Sequence, residues 1–280
     1  MNGRLVKLGL IGDNIADSKS PRLHRTAGEL TGLNVTYDRL VPKDMGMSFD
    51  EVFEHARAAG FRGINVTYPY KELVTSRVTI DDPLVRGIGA VNTVVFDPDG
   101  PKGFNTDYSG FVAAYKSVLG DRAPGTVCLI GAGGVGKAIA FGLIALNADV
   151  IRCVDTDLMK SEALAEALRA LETGARIEVF TDPVLAAKEA DGLINATPLG
   201  MIGIGGTPLI AAAMTGSAWA FDAVYTPVDT LFLQDAAAAG LRIVSGYELF
   251  FGQGIDAWRI FASVDLDPAA LRIALQGDEI

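Results

Sequence analysis

The side chains able to do chemistry in this chain gather in three short polar runs and around one glycine-rich loop. The runs are Ser18-Lys19-Ser20-Pro21, Asn65-Val66-Thr67-Tyr68-Pro69-Tyr70-Lys71 and Asn105-Thr106-Asp107. Each supplies hydroxyls, amides or charges just beyond a strand-like stretch, where α/β proteins place ligand contacts. Each also has a plainer explanation: Ser20-Pro21 suits a helix N-cap with Pro at the first position, and Asp107 suits the cap of the helix that follows. The loop, Gly131-Ala132-Gly133-Gly134-Val135-Gly136, follows an apolar strand-like run and opens an alanine-rich stretch. In that setting Gly131-x-Gly133-x-x-Gly136 is a dinucleotide-binding pattern. Gly131 permits a tight turn, Gly133 lets backbone approach a pyrophosphate, and Gly136 allows close helix–strand packing. The helix N-terminus adds free N–H groups and partial positive charge for the phosphates.

Asp155 ends the next strand-like run, close to the roughly 20-residue offset of a ribose-binding acid. A carboxylate there accepts from both adenosine ribose hydroxyls and repels a 2′-phosphate. Asp157 adds a second negative charge, and no arginine stands between Asp155 and Lys160. Strand alternation turns Arg152 away from the loop tip. The cofactor expected is NAD in preference to NADP.

Positioning these residues takes alternating strands and helices. In the first half, strands are predicted over Lys7–Gly12, Val35–Leu40, Gly63–Tyr68 and Val91–Phe96. Val35, Tyr37 and Arg39 share one side of their strand. Helices are predicted over Arg22–Thr31, Ser48–Ala59 and from Tyr70 onward, with a turn at Asp97–Gly100. The second half predicts strands Thr126–Ile130, Val150–Val154, Ile177–Phe180, Gly192–Asn195, Ala218–Phe221 and Leu241–Val244. Between them lie a helix running through Leu146 and another over Ser161–Leu171, a doubly wound succession. The fold class is α/β: an N-terminal α/β substrate domain plus a doubly wound Rossmann-type NAD(P)-binding domain. The expected boundaries are 1–110 for the substrate-binding and catalytic domain, completed by C-terminal helices in 247–280, and 111–246 for the dinucleotide-binding domain. The aromatic helix Tyr247–Phe261 is expected to pack back on the first domain.

Composition agrees. A chain of 280 residues suits two domains better than one core. With 49% hydrophobic and 21% charged residues it is globular in type. Gly142 and Asn147 interrupt the apolar run Ala138–Ala148, well short of the roughly 20 residues of a membrane span. The first residues lack a signal-peptide pattern, so no membrane association and a cytoplasmic location are expected. The net charge of −10 argues against a nucleic-acid partner. Cys128 and Cys153 sit in apolar strand-like stretches without CxxC spacing and read as buried thiols. His24 and His55 lie far apart, and no metal site is visible. No heptad or long apolar stripe nominates an interface, and a homodimer is left open.

The polar runs take on further meaning together, because the sequence resembles the shikimate dehydrogenase family over nearly its whole length. The resemblance rests on ordered pieces. They begin with Ser18-x-Ser20-Pro21-x-x-His24, Gly63-x-Asn65-Val66-Thr67-x-Pro69-x-Lys71 and Gly89-Ala90-Val91-Asn92-Thr93. Gly103-x-Asn105-Thr106-Asp107-x-x-Gly110, Gly131-Ala132-Gly133-Gly134 and Asn195-Ala196-Thr197-Pro198-x-Gly200-Met201 follow, then Asp222-x-x-Tyr225-x-Pro227-x-x-Thr230 and Gln253-Gly254. The resemblance implies hydride transfer between nicotinamide and C3 of a ring carboxylic acid, shikimate or quinate, with Lys71 and Asp107 as the catalytic pair. A lysine can deliver the proton that ketone reduction needs and take it back on oxidation, while an aspartate orients it. By the same carry-over Ser18 and Ser20 bind the substrate carboxylate, and Thr67, Asn92, Tyr225 and Gln253 line the ring. Asn195, Thr197 and Gly246 fall on the cofactor side, and the substrate is expected between the domains.

The chain departs from the family pattern in places. Asp17 stands where His is usual, and Asp155-Thr156-Asp157 replaces an Asn-Arg-Thr stretch that grips a 2′-phosphate. Gly246-Tyr247-Glu248-Leu249-Phe250-Phe251 is bulkier than usual. These features resemble the NAD-linked quinate/shikimate branch, while Ser20, where quinate-accepting relatives often carry threonine, leans toward shikimate. An aminoshikimate-type dehydrogenase and a non-catalytic sensor of a cyclitol acid or dinucleotide stay open as alternatives.

Overall fold

A computed structural model describes residues 4–276. The chain divides into two units: one holds the chain through Thr106 together with the segment from Gly254 onward, and the other holds Asp107–Gln253.

The first unit is built on a five-stranded mixed sheet of β1 (Leu5–Ile11), β2 (Asn34–Leu40), β3 (Gly63–Val66), β4 (Thr93–Asp97) and β5 (Gly100–Phe104), in the order β2-β1-β3-β4-β5. β1 pairs parallel with β2 and β3, whereas β4 is antiparallel to both β3 and β5. Four helices serve this sheet: α1 (Ser20–Thr31), α2 (Pro42–Met45), α3 (Phe49–Ala58) and α4 (Pro83–Ile88). Ser48 and Glu51 form a capping box that starts α3, satisfying backbone donors that would otherwise be orphaned. Ile64 and Val66 bury themselves with Phe49, Val52 and Phe53 in one core. Tyr37 belongs to a second cluster, where it stacks on His24 at 5.1 Å and Phe261 meets the imidazole edge-on.

In the second unit, α5 (Thr106–Leu119) leads into a six-stranded, all-parallel sheet. Its strands are β6 (Thr126–Ile130), β7 (Val150–Val154), β8 (Arg176–Phe180), β9 (Gly192–Asn195), β10 (Trp219–Asp222) and β11 (Arg242–Val244), ordered β11-β10-β9-β6-β7-β8. This is the doubly wound order, with its switch point between β6 and β9. The crossovers are α6 (Gly134–Ala145), α7 (Leu158–Arg169), α8 (Pro183–Ala187) and α9 (Leu231–Ala238). The strands read as near-continuous apolar runs because both faces are covered. Phe111 of α5 packs edge-on against Phe221, as Tyr115 does against Trp219. Cys128 and Cys153 are buried free thiols whose titration burial pushes up to about 12. The long helix α10 (Gly246–Ala262) belongs to the second unit through Gln253 and to the first from Gly254. It is followed by α11 (Pro268–Gln276), whose Leu275 carbonyl accepts from Arg22 of α1 at 2.7 Å. Among the described residues no helix is long and apolar enough to cross a membrane.

Some expected elements differ. No α-helix starts at Tyr70; a single 3₁₀ turn occupies Leu73–Arg77. The Lys71 carbonyl is taken by the Val91 N–H at 2.8 Å, which diverts it from a helical ladder. β3 ends at Val66 rather than at Tyr68. β5 was not expected, since Gly-Pro-Lys-Gly lacks apolar alternation, and Pro101 is tolerated because β5 lies at the sheet edge. Helix α4 has no counterpart among the expected elements, whereas α11 falls within the C-terminal helices expected in 247–280.

Two buried ionisable groups tie stability to pH in opposite senses. Burial drives His24 from 6.5 down to about 3, with Asn65 opposing. Its imidazole is neutral in the fold, so stability is lost as the pH drops from about 6.5 toward about 3 and the unfolded chain alone takes up the proton. Burial lifts Asp222 from 3.8 to about 6, against hydrogen bonds from Thr230, Val224 and Asn195. Here stability is lost as the pH rises from 3.8 to about 6, because the fold retains a proton that the unfolded chain releases. Between about pH 4 and about pH 6 the two slopes oppose each other. As the pH rises through that window, His24→Phe is therefore expected to lose up to about 1.4 kcal/mol of stability per pH unit relative to the parent, and Asp222→Asn to gain up to as much. Urea unfolding at several pH values checks this; parallel pH profiles for all three proteins would refute it.

Candidate active site

The topology of the first sheet collects one set of predicted residues at a single edge. β1 and β3 run parallel and end side by side, with Ile11 opposite Val66, so the loops that follow leave from the same place. Because β4 is antiparallel to its neighbours, Thr93 at its start lies between Asn65 near the end of β3 and Phe104 at the end of β5. Ser18, Ser20, Thr67, Lys71 and Asn92 all belong to these strand ends and loops.

The serine loop is tightly specified. Lys19, without a side-chain cap bond, is the N-cap of α1, and Ser20 and Pro21 are already helical. Ser20 therefore does not cap the helix. Its N–H donates to Ser18 Oγ at 3.3 Å, and Ile15 anchors the loop in the core at 2% exposure. A Cβ on Gly12 would lie 2.8 Å from Ile15 Cγ2 and collide with the Thr67 methyl, so the approach of the two loops requires glycine there. The lysine loop is held from several sides. Thr67 N–H donates to the Ile11 carbonyl at 2.9 Å and Tyr70 N–H to the Thr67 carbonyl at 2.9 Å. The Tyr70 hydroxyl donates to Asp13 Oδ1 at 2.6 Å, and its ring stacks on Phe49 at 4.9 Å. The bond to Asp13 is the main reason that Tyr70 is pushed up to about 12, which keeps it a donor.

Asn92 is 3% exposed and woven into a polar network. Its Oδ1 accepts from the Thr106 N–H at 2.8 Å and from Thr93 Oγ1 at 3.0 Å, and its Nδ2 lies 3.0 Å from Thr106 Oγ1. Asn65 Nδ2 donates to Thr93 Oγ1 at 3.1 Å, and Asn65 Oδ1 accepts from the Tyr37 hydroxyl at 2.8 Å. These bonds fix the Asn92 amide in one orientation.

The second set belongs to the carboxyl ends of the parallel strands. Gly131 has φ +108°, and a Cβ there would lie 2.7 Å from the Ala196 carbonyl group. A Cβ on Gly136 would collide with the Gly131 carbonyl oxygen, whereas one on Gly133, the N-cap of α6, would project into open space. These geometries match a tight turn, a packing contact, and an open cradle at a helix N-terminus, while Ala132 is buried with its N–H engaged by Asp155. The residues thus fit a dinucleotide. Asp155 Oδ2 accepts from the Ala132 N–H at 2.7 Å and Oδ1 from the Asp157 N–H at 2.9 Å, fixing the carboxylate beside the loop. Asp157 is the N-cap of α7, with Oδ1 accepting from Met159 N–H. Arg152 turns elsewhere, donating to the Ala186 and Lys188 carbonyls.

Asn195 is fully buried. Its Nδ2 donates to the Leu199 carbonyl and Asp222 Oδ1, each at 2.9 Å, and its Oδ1 accepts from the Thr197 N–H and hydroxyl. Its side chain therefore shapes the loop, in which the Thr197 hydroxyl also accepts from the Leu199 N–H. Asp222 also accepts from Thr230 Oγ1 at 2.6 Å and from the Val224 N–H, so β10 hands directly into the turn bearing Tyr225. Tyr225 stacks on Phe250 at 4.7 Å, and Gln253 Nε2 donates to the Phe250 carbonyl. Gly246 lets α10 start against the Asp222 carbonyl, 2.5 Å from where its Cβ would be. Asp107 is 4% exposed in the first turn of α5, where the helix end favours an anion. One turn on, Gly110 allows α10 to press against α5.

The supporting roles of Asp13, Tyr37, Arg39, Tyr70, Thr93, Thr106, Asp222 and Thr230 are not legible in the sequence motifs alone. The available signal was the shared parity of Tyr37 and Arg39 along β2, although only Tyr37 is buried.

Residues 10–94 match the family described as the shikimate dehydrogenase substrate binding domain. Over 280 residues the chain is 35% identical to a quinate/shikimate dehydrogenase (NAD(+)) of Corynebacterium efficiens, covering 97% of this chain and 98% of that protein. Over 270 residues it is 37% identical to a shikimate dehydrogenase (NADP(+)) of Pseudarthrobacter chlorophenolicus, covering 95% and 92%. The crystal structure of quinate dehydrogenase from Corynebacterium glutamicum in complex with NAD superposes with a TM-score of 0.88 at 31% identity, over 98% of this chain and 99% of that one.

Two glycine replacements separate packing from binding. An alanine Cβ at position 110 would sit 2.9 Å from both Gln253 N and the Leu249 carbonyl oxygen, so Gly110→Ala is expected to cost about 1–3 kcal/mol in urea unfolding. Gly133→Ala meets nothing and is expected to cost under about 1 kcal/mol, yet to weaken dinucleotide binding in a fluorescence titration. Equal stability losses, or unchanged binding by Gly133→Ala, would contradict this division of labour.

Proposed function

This chain belongs to the shikimate dehydrogenase family, and from that premise we propose that it interconverts shikimate and 3-dehydroshikimate, and less efficiently quinate and 3-dehydroquinate, with NAD. The observation that carries the proposal is the presence in one chain of a serine loop and a lysine loop at the neighbouring ends of β1 and β3, and of a complete glycine loop beside Asp155. The hydroxyls of Ser18 and Ser20 bind the ring carboxylate. Thr67, Asn92, Tyr225 and Gln253 hold the ring and its hydroxyls, which fixes the carbinol carbon for reaction. Bound nicotinamide supplies the hydride acceptor in oxidation and the donor in reduction. Lys71 Nζ takes the proton from the C3 hydroxyl as the carbonyl forms, and returns it to the oxygen in the reverse direction. Asp107 orients Lys71 and the hydroxyl, so the proton moves between fixed atoms.

NAD is favoured over NADP by the chemistry around Asp155. Two backbone N–H groups hold its carboxylate beside the glycine loop, where it accepts from ribose hydroxyls and repels a 2′-phosphate. The chain's relatives carry names of both kinds, which makes this acid the feature to test.

Turnover followed by nicotinamide absorbance is expected to be faster with NAD than with NADP, and kcat/KM higher for shikimate than for quinate. Lys71→Ala is expected to lower kcat by about 10²–10⁴-fold with little change in dinucleotide binding. Asp155→Ser should narrow the NAD/NADP ratio by about tenfold, the loss of one charged contact. Faster turnover with NADP, no turnover of shikimate, or full activity of Lys71→Ala would overturn the assignment.

A further inference from the structure

Arg39 is the last polar residue of β2, opposite Leu10 of β1, and its side chain leaves the strand to meet the serine loop. Its Nε donates to the Ile15 carbonyl at 2.9 Å and its Nη2 to the Ser18 carbonyl at 3.0 Å. The Ile15 carbonyl also accepts from the Ser18 N–H at 3.1 Å, so both ends of this turn are held by one guanidinium. The loop is fixed elsewhere. At its start, Asp13 N–H donates to the Tyr68 carbonyl at 3.2 Å and the Asp13 carboxylate accepts from Tyr70. At its far end Ser20 is already helical. Between these anchors the buried Ile15 side chain and the Arg39 guanidinium both restrain the stretch that carries Ser18. A planar fork with several fixed donors can span two carbonyls, which a single ammonium cannot do in the same geometry.

We propose that Arg39 is a positioning residue for carboxylate recognition: it braces the Ile15–Ser18 turn so that the hydroxyls of Ser18 and Ser20 face a ring carboxylate together. It does so through backbone carbonyls and without touching the reacting atoms. Its effect therefore falls on binding of the acid and not on the chemical step. The inference rests on the proposal that these serines bind the substrate carboxylate.

The test compares the full-length parent with Arg39→Gln and Arg39→Lys. Arg39→Gln is expected to raise KM for shikimate about tenfold, as the loss of charge-assisted hydrogen bonds allows, with kcat and the KM for NAD unchanged. Arg39→Lys should fall between. With methyl shikimate, whose carboxylate is masked, Arg39→Gln should match the parent, a distinction that general destabilisation would not produce. Amide hydrogen exchange at Ser18 should accelerate in Arg39→Gln with or without substrate. An unchanged KM for shikimate, an equal rise for the methyl ester, a fall confined to kcat, or unaltered exchange at Ser18 would each overturn the inference. If Arg39→Gln does not fold, Arg39→Lys carries the same comparison. A parent that turns over neither ring acid defeats the proposed function instead, and the exchange measurement still decides the role of Arg39.

Discussion

Backbone approaches that leave no room for a methyl group set the positions of both groups of site residues. Gly12 lets Thr67 close on the serine loop, Gly131 turns the chain against Ala196, and Gly246 starts α10 on the end of β10. A Cβ at any of these meets backbone or packed side chain at distances that real Cβ atoms do not adopt. Well-packed interiors relax poorly around added volume, so these contacts locate the loops more strictly than any one hydrogen bond. Gly133 is the instructive opposite: it has room for a side chain, and its lack of one serves what must approach from outside.

Buried amides supply the second layer of order. Asn92 and Asn195 each spend their side chains on their own loops, Asn92 through Thr93 and Thr106, Asn195 through Thr197 and Asp222. An unsatisfied buried polar group costs about 1–3 kcal/mol, so each network tolerates one arrangement and rejects its neighbours. Even so, His24 Nδ1 and Trp258 Nε1 are buried without partners. Their rings lie tilted against each other at 6.3 Å.

The parallel sheet was the most legible part of the sequence. Thr126–Ile130, Val150–Val154 and Gly192–Asn195 are found with the residues expected, because strands covered on both faces leave continuous apolar runs. Elements without such a signature were harder to see. β5 carries Gly, Pro and Lys, and its place in the sheet comes from pairing with β4, which no local pattern reports. The short helix α4 did have a start signal, Asp82-Pro83, but too few turns to show a period. At the site, motif residues were visible as letters, while the supports Tyr37, Arg39 and Thr93 become meaningful only once the topology places them beside those letters.

The two cysteines give the second unit a built-in reporter. Cys128 lies in β6 and Cys153 in β7, adjacent strands inside the sheet, with neither thiol exposed. Burial pushes both thiols up to about 12, so the nucleophilic thiolate is scarce and unreachable while the sheet is closed. An alkylating reagent can modify them only when those strands separate. The rate of modification of the unaltered chain thus clocks opening of the dinucleotide-binding sheet, and bound cofactor would slow that clock in proportion to its hold on the closed form.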